Sequence, residues 1–349
     1  MERPNRSDSD VPTITDVARH AGVSTATVSR CLNDPDRVQP KTREKVLSAV
    51  RALGYTPNFG ARALVAKRTN TVGAVIPTMD NAIFARGLQA FQEALHERGI
   101  TLLVASSQYR PDLEEEQIRT LLARGADGLL LIGYERSGRI YDELERRGVA
   151  TVIAWAFQPL SRMPAVGFDN HKAMKALAQA VLARGHRVIG AISATMATND
   201  RARDRVAAIR AAMAEQGIPG SNLRVIETTY SIDSGRLGMA ELMSATPRPT
   251  VVMCGNDVLA AGAIREARRM GLRVPDDVSI TGFDDIELAS ISDPTLTTVH
   301  VPHREMGLRA AMSLLQMLRE GKPVVSVELD TELRVRESLG PCPVDHAAP

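Results

Sequence analysis

Residues 13–33 are Thr13-Ile-Thr-Asp-Val-Ala-Arg-His-Ala-Gly-Val-Ser-Thr-Ala-Thr-Val-Ser-Arg-Cys-Leu-Asn33, and this stretch predicts the fold of the N-terminal region. Thr13 and Asp16 have the spacing of a helix capping box, with aspartate in place of the usual glutamate. The apolar stripe of the helix that they begin consists of Val17, Ala18 and Ala21. Gly22 ends this helix, so a second helix follows after a short turn.

The second helix of this stretch is rich in small hydroxyl side chains. Ser24 can cap its first turn, and Val28 and Leu32, four residues apart, face inward. The outer face then carries Thr25, Ala26, Ser29 and Arg30. Such a face suits a DNA major groove, because arginine can bond guanine O6 and N7 while methyl groups can touch thymine. The pattern is typical of a helix-turn-helix, although a surface helix of an ordinary domain has the same pattern.

The composition indicates a soluble protein of two or three domains, since 44% of the 349 residues are apolar and 24% are charged. No stretch approaches the roughly 20 apolar residues of a membrane span. Residues 1–10 lack the apolar core of a signal peptide, so we expect a cytoplasmic location and no membrane partner. Cys31, Cys254 and Cys342 are odd in number and far apart, which predicts free thiols rather than disulfides or a zinc site.

The charge is unevenly distributed along the chain. Residues 11–70 contain ten Lys or Arg against four Asp or Glu, a net charge of +6. Residues 71–349 contain 31 against 34, a net charge of −3. The basic excess therefore coincides with the helix-turn-helix pattern, which favours contacts with phosphate groups there.

A third helix completes a small N-terminal domain. Gln39-Pro40 begins it and Gly54 ends it, with Val46, Val50 and Leu53 as its apolar positions. We expect a disordered N-terminus over residues 1–11, a headpiece over 12–57 and a linker over 58–70. The centre of the linker, residues 61–67, has good helix formers over only two turns, so it is marginal alone and would order against DNA or a second copy.

The rest of the chain alternates short apolar runs with amphipathic segments. Strands are predicted at 72–76, 101–105, 128–132, 150–154, 188–192, 223–226, 250–254 and 278–281, with helices between them and a late helix at 303–320. Regular alternation of this kind predicts doubly wound parallel sheets, an α/β fold. Its length favours two lobes: one over about 71–162 and 292–322, the other over about 163–291 and 323–340, with a tail at 341–349.

Six motifs in order along the chain give a resemblance to a known family. They are the stretch at 13–30, Tyr55-Thr-Pro-Asn, Ala61-Arg-Ala-Leu, Gly255-Asn-Asp, Val274-Pro-Asp-Asp-Val-Ser-Ile-Thr-Gly-Phe-Asp-Asp and Pro294-Thr-Leu-Thr-Thr-Val. The chain resembles the lactose/galactose repressor family of bacterial transcription regulators. The resemblance implies a homodimer on a pseudo-palindromic operator in double-stranded DNA, paired hinge helices in the minor groove, and a periplasmic-binding-protein-like core that binds a small effector.

The resemblance also assigns DNA contacts to individual positions. Thr25, Ala26 and Arg30 match base-reading positions, whereas the positions that match phosphate contacts are Ser24, Thr27, Ser29, Asn33 and Tyr55. Leu64 matches the residue that is inserted into the minor groove, where a wedged side chain unstacks a base step at a cost of a few kcal/mol. Ala26 departs from the other base-reading positions, because alanine cannot form a hydrogen bond to a base and could read only a methyl group or the shape of the DNA.

Effector contacts are expected outside the carboxyl ends of the strands. The side chains that follow predicted strands are Asp80, Tyr134, Trp155, Asn256 and Asp284. The resemblance adds Phe84, Asp169, Asn199, Arg205 and Tyr230. We expect Arg205 to clamp a carboxylate or a hydroxyl with a bidentate fork and Asp284 to accept from hydroxyls opposite it, unless the two form a structural ion pair. The run at 199–205 is similar to regulators akin to the gluconate repressor, which suggests a sugar or sugar acid.

Two other classes of protein share parts of this pattern. An α/β enzyme is disfavoured because the chain has no phosphate-binding Gly-Lys-Ser/Thr loop, no Gly-x-Ser-x-Gly elbow and no His/Cys cluster with metal spacing. We therefore assign no catalytic residue, cofactor or metal. A sugar-binding transport receptor has the two-lobed core but leaves the headpiece unexplained. Whether the effector releases or promotes DNA binding stays open, and the tail has no leucine heptad that would predict a tetramer.

Overall fold

The computed structural model describes residues 12–56, 68–80 and 82–343. The chain divides into two compact units, with the boundary between Thr69 and Asn70. The predicted hinge helix at 61–67, with Leu64, lies outside the described residues, as does the side chain of Asn33.

The smaller unit is a bundle of three helices. They are α1 (Ile14–Ala21), α2 (Thr25–Asn33) and α3 (Pro40–Leu53), with a turn of 3₁₀ helix at Pro35–Arg37. One apolar residue set from all three helices forms the core: Val17, Ala18, Val28, Cys31, Val46 and Ala49. The predicted helix-turn-helix and the third helix are therefore confirmed.

Local signals at the helix ends explain where α1 and α2 begin and end. The backbone N–H of Thr13 donates to Asp16 over 2.9 Å while the Asp16 N–H donates to the Thr13 hydroxyl, which is the expected capping box. Gly22 has φ +67°, a left-handed conformation in which glycine carries no Cβ penalty. The Ser24 hydroxyl accepts from the N–H of Thr27 over 3.2 Å and so caps α2.

The larger unit contains a first lobe built on six parallel strands. The strands are β1 (Thr71–Ile76), β2 (Thr101–Ser106), β3 (Gly128–Ile132), β4 (Ala150–Ala154), β5 (Ala165–Gly167) and β11 (Val327–Glu328), in the order β11-β5-β4-β3-β1-β2. Its helices are α4 (Ala82–His96), α5 (Pro111–Ala123), α6 (Gly138–Arg147) and α12 (His303–Glu320). Central strands β1 and β3 are buried along their whole length, as expected of a sheet covered on both faces.

The second lobe is built on four parallel strands. They are β6 (Ile189–Ala194), β7 (Leu223–Thr228), β8 (Val251–Cys254) and β9 (Ser279–Thr281), in the order β7-β6-β8-β9. Its helices are α7 (Asn170–Leu182), α8 (Asp200–Glu215), α9 (Ile232–Met243), α10 (Asp257–Arg269) and α11 (Glu287–Ile291), with a 3₁₀ turn at Gly220–Asn222. A short antiparallel pair, β10 (Thr298–His300) and β12 (Glu332–Arg334), lies beside this lobe.

The chain passes between the lobes three times: after β5, after β10 and after β11. All eight predicted strands are present, so the α/β fold is confirmed. The predicted lobe boundary near residue 162 differs from the structure, because β5 and β11 both pair in the first sheet. These strands have only three and two residues, too few to show a strand pattern in the sequence.

Candidate functional sites

The exposed face of α2 is the candidate DNA-binding face of the smaller unit. Thr25, Ala26 and Arg30 are exposed there, and Thr27 and Ser29 are half-buried. Within the described residues, the side chain of Arg30 forms no hydrogen bond or ion pair. Its guanidinium is thus presented to solvent on the same face as two methyl-bearing side chains.

Two further predicted contacts lie at the edge of this face. The hydroxyls of Ser24 and Thr27 lie 2.9 Å apart and bond each other, so both are fixed at the N-terminus of α2. Tyr55 follows the end of α3 and packs, half-buried, against the core of the bundle. Its backbone N–H donates to the carbonyl of Val50, which holds the segment after α3 in place.

In the larger unit, the carboxyl ends of the two parallel sheets face a common cleft. The backbone N–H of Tyr134, just after β3, donates to the carboxylate of Asp200, at the start of α8 in the other lobe, over 2.5 Å. Parallel α/β sheets bind ligands at this edge, so the cleft is the candidate effector site.

Arg205, on α8, is buried in the cleft and held from three sides. Its Nε donates to Asn170 Oδ1 over 2.9 Å, and its Nη1 donates to the carbonyl of Gly255 over 2.6 Å. Its guanidinium carbon lies 3.7 Å from the centroid of the Phe283 ring, a cation–π contact. Nη2 faces Asp284 at 3.9 Å. The expected bidentate fork is therefore not what the geometry presents, because Nε and Nη1 already bond protein oxygens.

Asp284 is the most unusual acid of the cleft. It is 1% exposed, its φ is +100°, and neither carboxylate oxygen has a hydrogen-bond partner among the described residues. The amide Nδ2 of Asn256, fully buried, is likewise unpaired within the described part of the chain. Leaving a buried polar group unpaired costs about 1–3 kcal/mol, and more when the group is charged. Groups of this kind mark a place where ligand atoms would complete the hydrogen bonding.

Backbone contacts fix Asp284 in this position. Its N–H donates to the carbonyl of Val299 over 3.0 Å, and its carbonyl accepts from His303 Nε2 over 3.2 Å. Asp257 holds the same loop further along, because its carboxylate accepts from the Ile286 N–H and the Thr298 hydroxyl. Burial, followed by the nearby charge of Asp284, raises the pKa of Asp257 well above its usual range.

A cluster of aromatic side chains is linked to Asp284 through His303. Trp155 is 2% exposed and meets the Phe84 ring edge-on at 5.3 Å. The indole Nε1 of Trp155 donates to His303 Nδ1 over 3.1 Å, so the histidine keeps its proton on Nε2. Burial lowers the pKa of His303, which agrees with a neutral ring. A Cβ at Gly87 would lie 2.6 Å from the Trp155 ring, so only glycine leaves room for the indole.

A pair of tyrosines also lies near Asp284. The ring centroids of Tyr109 and Tyr230 lie 5.9 Å apart. Burial raises the pKa of both phenols, and the charges of Arg201, Arg205 and Asp284 act on both. Asn199 bonds the Tyr230 hydroxyl and caps α8 through the N–H of Ala202. The two tyrosine rings therefore lie close to the guanidiniums of Arg201 and Arg205 and to the carboxylate of Asp284.

Other predicted effector residues have local roles or lie outside this group. Asp80 is exposed, and its backbone N–H donates to the Thr78 hydroxyl. Asp169 caps α7 by accepting from the N–H of Lys172. Asn256 caps α10 through its Oδ1. The hydroxyl of Tyr134 accepts from the N–H of Gln158 in its own lobe, so its backbone rather than its side chain meets the second lobe.

Four residues of the cleft were not predicted: Tyr109, Asn170, Phe283 and His303. Tyr109 lies three residues after the end of β2, and this position at a strand end was its only signal. Asn170 joins Arg205 to the carbonyl of Trp155, which its Nδ2 contacts at 3.1 Å. No sequence pattern indicates that bridge, because its partners lie 15 and 35 residues away.

None of the described helices combines the length and apolar character that a membrane span requires. Over the described ranges, no group of three or more His, Cys, Asp or Glu is arranged to hold a metal ion.

Two sequence families match separate parts of the chain. Residues 13–58 match bacterial regulatory proteins of the lacI family, and residues 178–339 match the periplasmic binding protein-like domain. The regulator DegA of Bacillus subtilis is 34% identical over 94% of this chain and 98% of its own length. The regulator GntR of Pseudomonas aeruginosa is 34% identical over 94% of this chain and 95% of its own length.

Solved structures agree with these matches. The Lac repressor dimer bound to operator and an anti-inducer superposes with a TM-score of 0.83 at 26% identity, covering 95% of this chain and 99% of that one. The regulator CelR in complex with cellobiose gives a TM-score of 0.68 at 31% identity, covering 94% and 99%. A three-helix headpiece followed by a two-lobed α/β core defines a class of DNA-binding transcription regulator. The chain belongs to the LacI family of these regulators.

Proposed function

We propose that this protein is a repressor whose affinity for its operator is controlled by a sugar or a sugar acid such as gluconate. It acts as a homodimer, with one headpiece on each half of a pseudo-palindromic site. The observation that carries the effector assignment is the carboxylate of Asp284, whose oxygens have no hydrogen-bond partner among the described residues and lie beside the guanidinium of Arg205.

A hydroxyl is the ligand group that this pair fits best. Because Arg205 Nη2 and Asp284 Oδ1 lie 3.9 Å apart, one ligand oxygen can be within hydrogen-bond distance of both. A hydroxyl can accept from the guanidinium and donate to the carboxylate, whereas a carboxylate ligand could only accept. The unpaired Nδ2 of Asn256 adds a donor for a further ligand oxygen. A polyhydroxylated ligand therefore satisfies this end of the cleft.

Two cations support an acidic group elsewhere on the ligand. Arg201 and Arg205 lie one helical turn apart on α8, and both are more than nine-tenths buried. Arg201 is neutralised by Asp200, to which its Nη1 donates over 2.8 Å, so the surplus charge is modest. This arrangement accommodates either a neutral sugar or a sugar acid. The related regulator CelR, which has the same fold, was solved in complex with the sugar cellobiose.

The DNA-binding half of the proposal rests on the headpiece. Arg30 is exposed beside Thr25 and Ala26, the three positions that match base contacts. An operator can be recovered by selecting random duplexes on the purified protein, and its affinity measured at two salt concentrations. A repressor loses affinity steeply as salt rises, because phosphate contacts release counterions. Failure to enrich any duplex would contradict this half.

The effector half is tested by thermal unfolding with neutral sugars and the matching sugar acids. A ligand at 100 times its dissociation constant adds about 2.7 kcal/mol to the stability of the protein that binds it. We expect stabilisation of the parent and of Asp330→Asn, an exposed control, but not of Asp284→Asn. A screen in which no sugar or sugar acid stabilises the parent would show that the effector class is wrong.

A further inference from the structure

The loop after β3 is fixed rigidly to the first lobe. The side chain of Arg136 is buried, and its guanidinium donates to the carbonyls of Gly133 over 2.7 Å and Ile132 over 3.1 Å. The guanidinium also bonds Glu114 over 2.8 Å, which satisfies its charge. The Tyr141 hydroxyl donates to the carbonyl of Tyr134 over 3.1 Å. The backbone of this loop is therefore held in one conformation before the second lobe meets it.

Asp200 reaches this loop from the second lobe. Its Oδ2 accepts from the backbone N–H of Tyr134 over 2.5 Å, while its Oδ1 accepts from the backbone N–H and Nη1 of Arg201. Asp200 is 5% exposed. A charged acceptor makes such hydrogen bonds shorter and roughly twice as strong as neutral ones. The two lobes are thus joined at this point by a buried, charge-assisted hydrogen bond.

The contact between Tyr134 and Asp200 requires glycine at position 133, for two independent reasons. Its φ is +66°, in the left-handed region that favours glycine. A Cβ at this position would also lie 1.8 Å from Nη1 of Arg201 and 2.6 Å from Oδ1 of Asp200. A side chain here would therefore displace the carboxylate of Asp200 and the guanidinium of Arg201 and so disrupt the contact between the lobes.

We infer that Gly133, the Tyr134 backbone and Asp200 form a latch that stabilises the closed arrangement of the two lobes. The latch consists of protein atoms alone, so it acts whichever effector occupies the cleft. At the rim, Arg203 pairs with Glu135 over 2.5 Å, but this pair is about half-exposed and therefore contributes little. The buried hydrogen bond between the Tyr134 backbone and Asp200 therefore holds the two lobes closed.

The latch and the candidate effector site share one helix. Arg205 lies on α8 just over one turn after Asp200, so opening the latch moves the guanidinium relative to the first lobe. For a ligand that needs both lobes, the apparent affinity equals the intrinsic affinity multiplied by the fraction of molecules that are closed. The strength of the latch consequently sets the effector concentration to which the regulator responds, although the latch does not contact the ligand.

The test compares two glycine variants of the full chain that carry the same backbone strain. Gly148, at the end of α6, has φ +63°, and a Cβ there would meet nothing within 4 Å. Gly133→Ala adds the clash with Asp200 and Arg201, whereas Gly148→Ala adds only the strain. Spin labels at Arg98→Cys in the first lobe and Gln216→Cys in the second, with Cys342→Ser, report the distance between the lobes by pulsed electron resonance.

We expect Gly133→Ala to show a second, longer distance that is absent from Gly148→Ala and from the labelled parent. Identical distance distributions for the two variants would overturn the latch. Should Gly133→Ala fail to fold by circular dichroism, Asp200→Asn, which keeps the shape but removes the charge, is measured in the same way. It must then show the longer distance. The experiment contains neither effector nor DNA, so its outcome is separate from that of the proposed function.

Discussion

The guanidinium of Arg205 lies over the ring of Phe283, with its central carbon 3.7 Å from the ring centroid. Phe283 is itself fully buried and stacks on Phe168 with a centroid distance of 6.0 Å. An aromatic face is a favourable surface for a desolvated cation, because the ring quadrupole attracts positive charge. The phenylalanine thus allows a charged side chain to remain inside the core where the cleft needs it.

Phe283→Leu should therefore destabilise the protein by more than the loss of buried area explains. Phe91 is equally buried, and over the described residues no ring pair or cation–π contact involves it, so Phe91→Leu measures the packing cost alone. We expect the free energy of unfolding of Phe283→Leu to fall about 1–3 kcal/mol further than that of Phe91→Leu. Urea unfolding at neutral pH provides the measurement. Equal losses would mean that the ring does not stabilise the guanidinium.

Arg30→Ala should weaken binding to the selected operator by about 1–3 kcal/mol and relax the preference at one base pair. The reason is that a bidentate arginine distinguishes guanine from other bases, whereas alanine cannot. Arg51→Ala, an exposed arginine at the end of α3, serves as the control for lost charge. Fluorescence anisotropy on the operator and on single-base variants gives the comparison. If Arg30→Ala weakens binding to every sequence equally, its role is a phosphate contact.

The two buried histidines, His303 and His186, should each make the folded core less stable as the pH is lowered below about 6.5, the ordinary pKa of histidine. Burial lowers the pKa of His303 and of His186 in the folded state, so the unfolded chain takes up protons at a higher pH. The contribution of the two neutral histidines to the free energy of unfolding is complete above the pKa that histidine has in the unfolded chain. This contribution is lost as the pH falls from there toward their lower pKa values in the folded state. Asp284, Arg205 and His300 are the charged or titratable neighbours that act on His303.

Unfolding free energies at pH 7.5 and 5.5 check this dependence. His303→Gln should reduce the difference between the two values, while His186 keeps part of it. His96→Gln, an exposed residue on α4, should leave the difference as it is in the parent. A His303→Gln protein with the full parental pH dependence would show that protonation of this ring does not oppose folding.

Trp155, the only tryptophan of the chain, should report effector binding directly. Its indole bonds His303, whose Nε2 bonds the carbonyl of Asp284, so a ligand at Asp284 perturbs the environment of the indole. We expect a saturable change in fluorescence with any compound that also raises the thermal stability. Asp284→Asn should abolish both changes together. A stabilising ligand that leaves the fluorescence constant would place Trp155 outside the effector site.

Local signals made the fold of this chain predictable. The capping pair Thr13 and Asp16, the left-handed Gly22 and the fully buried strand β1 are all encoded within a few neighbouring residues. Positions at the ends of strands also led to Trp155 and Asp284, because parallel sheets place those ends at one edge.

The network that connects the cleft could not be predicted in this way. His303 meets Trp155 across 148 residues of sequence, and Asp200 meets Tyr134 across 66. Nothing beside these residues in the chain indicates their partners, because tertiary packing alone brings them together. For the same reason, the hydrogen bonds that leave Arg205 without a two-nitrogen fork become visible only in the structure.

The late position of α12 and β11 in the chain has a consequence for biosynthesis. Helix α12 packs on α4 and against β3, β4 and β5, and β11 completes the sheet beside β5, yet both follow all four parallel strands of the second lobe in sequence. On a ribosome, the strands β1–β5 emerge first but lack the helix that covers one face and the strand that closes one edge. Domains commonly fold in order from the N-terminus. Here the first lobe begins to be synthesised before the second but cannot be completed until all the parallel strands of the second lobe have been made.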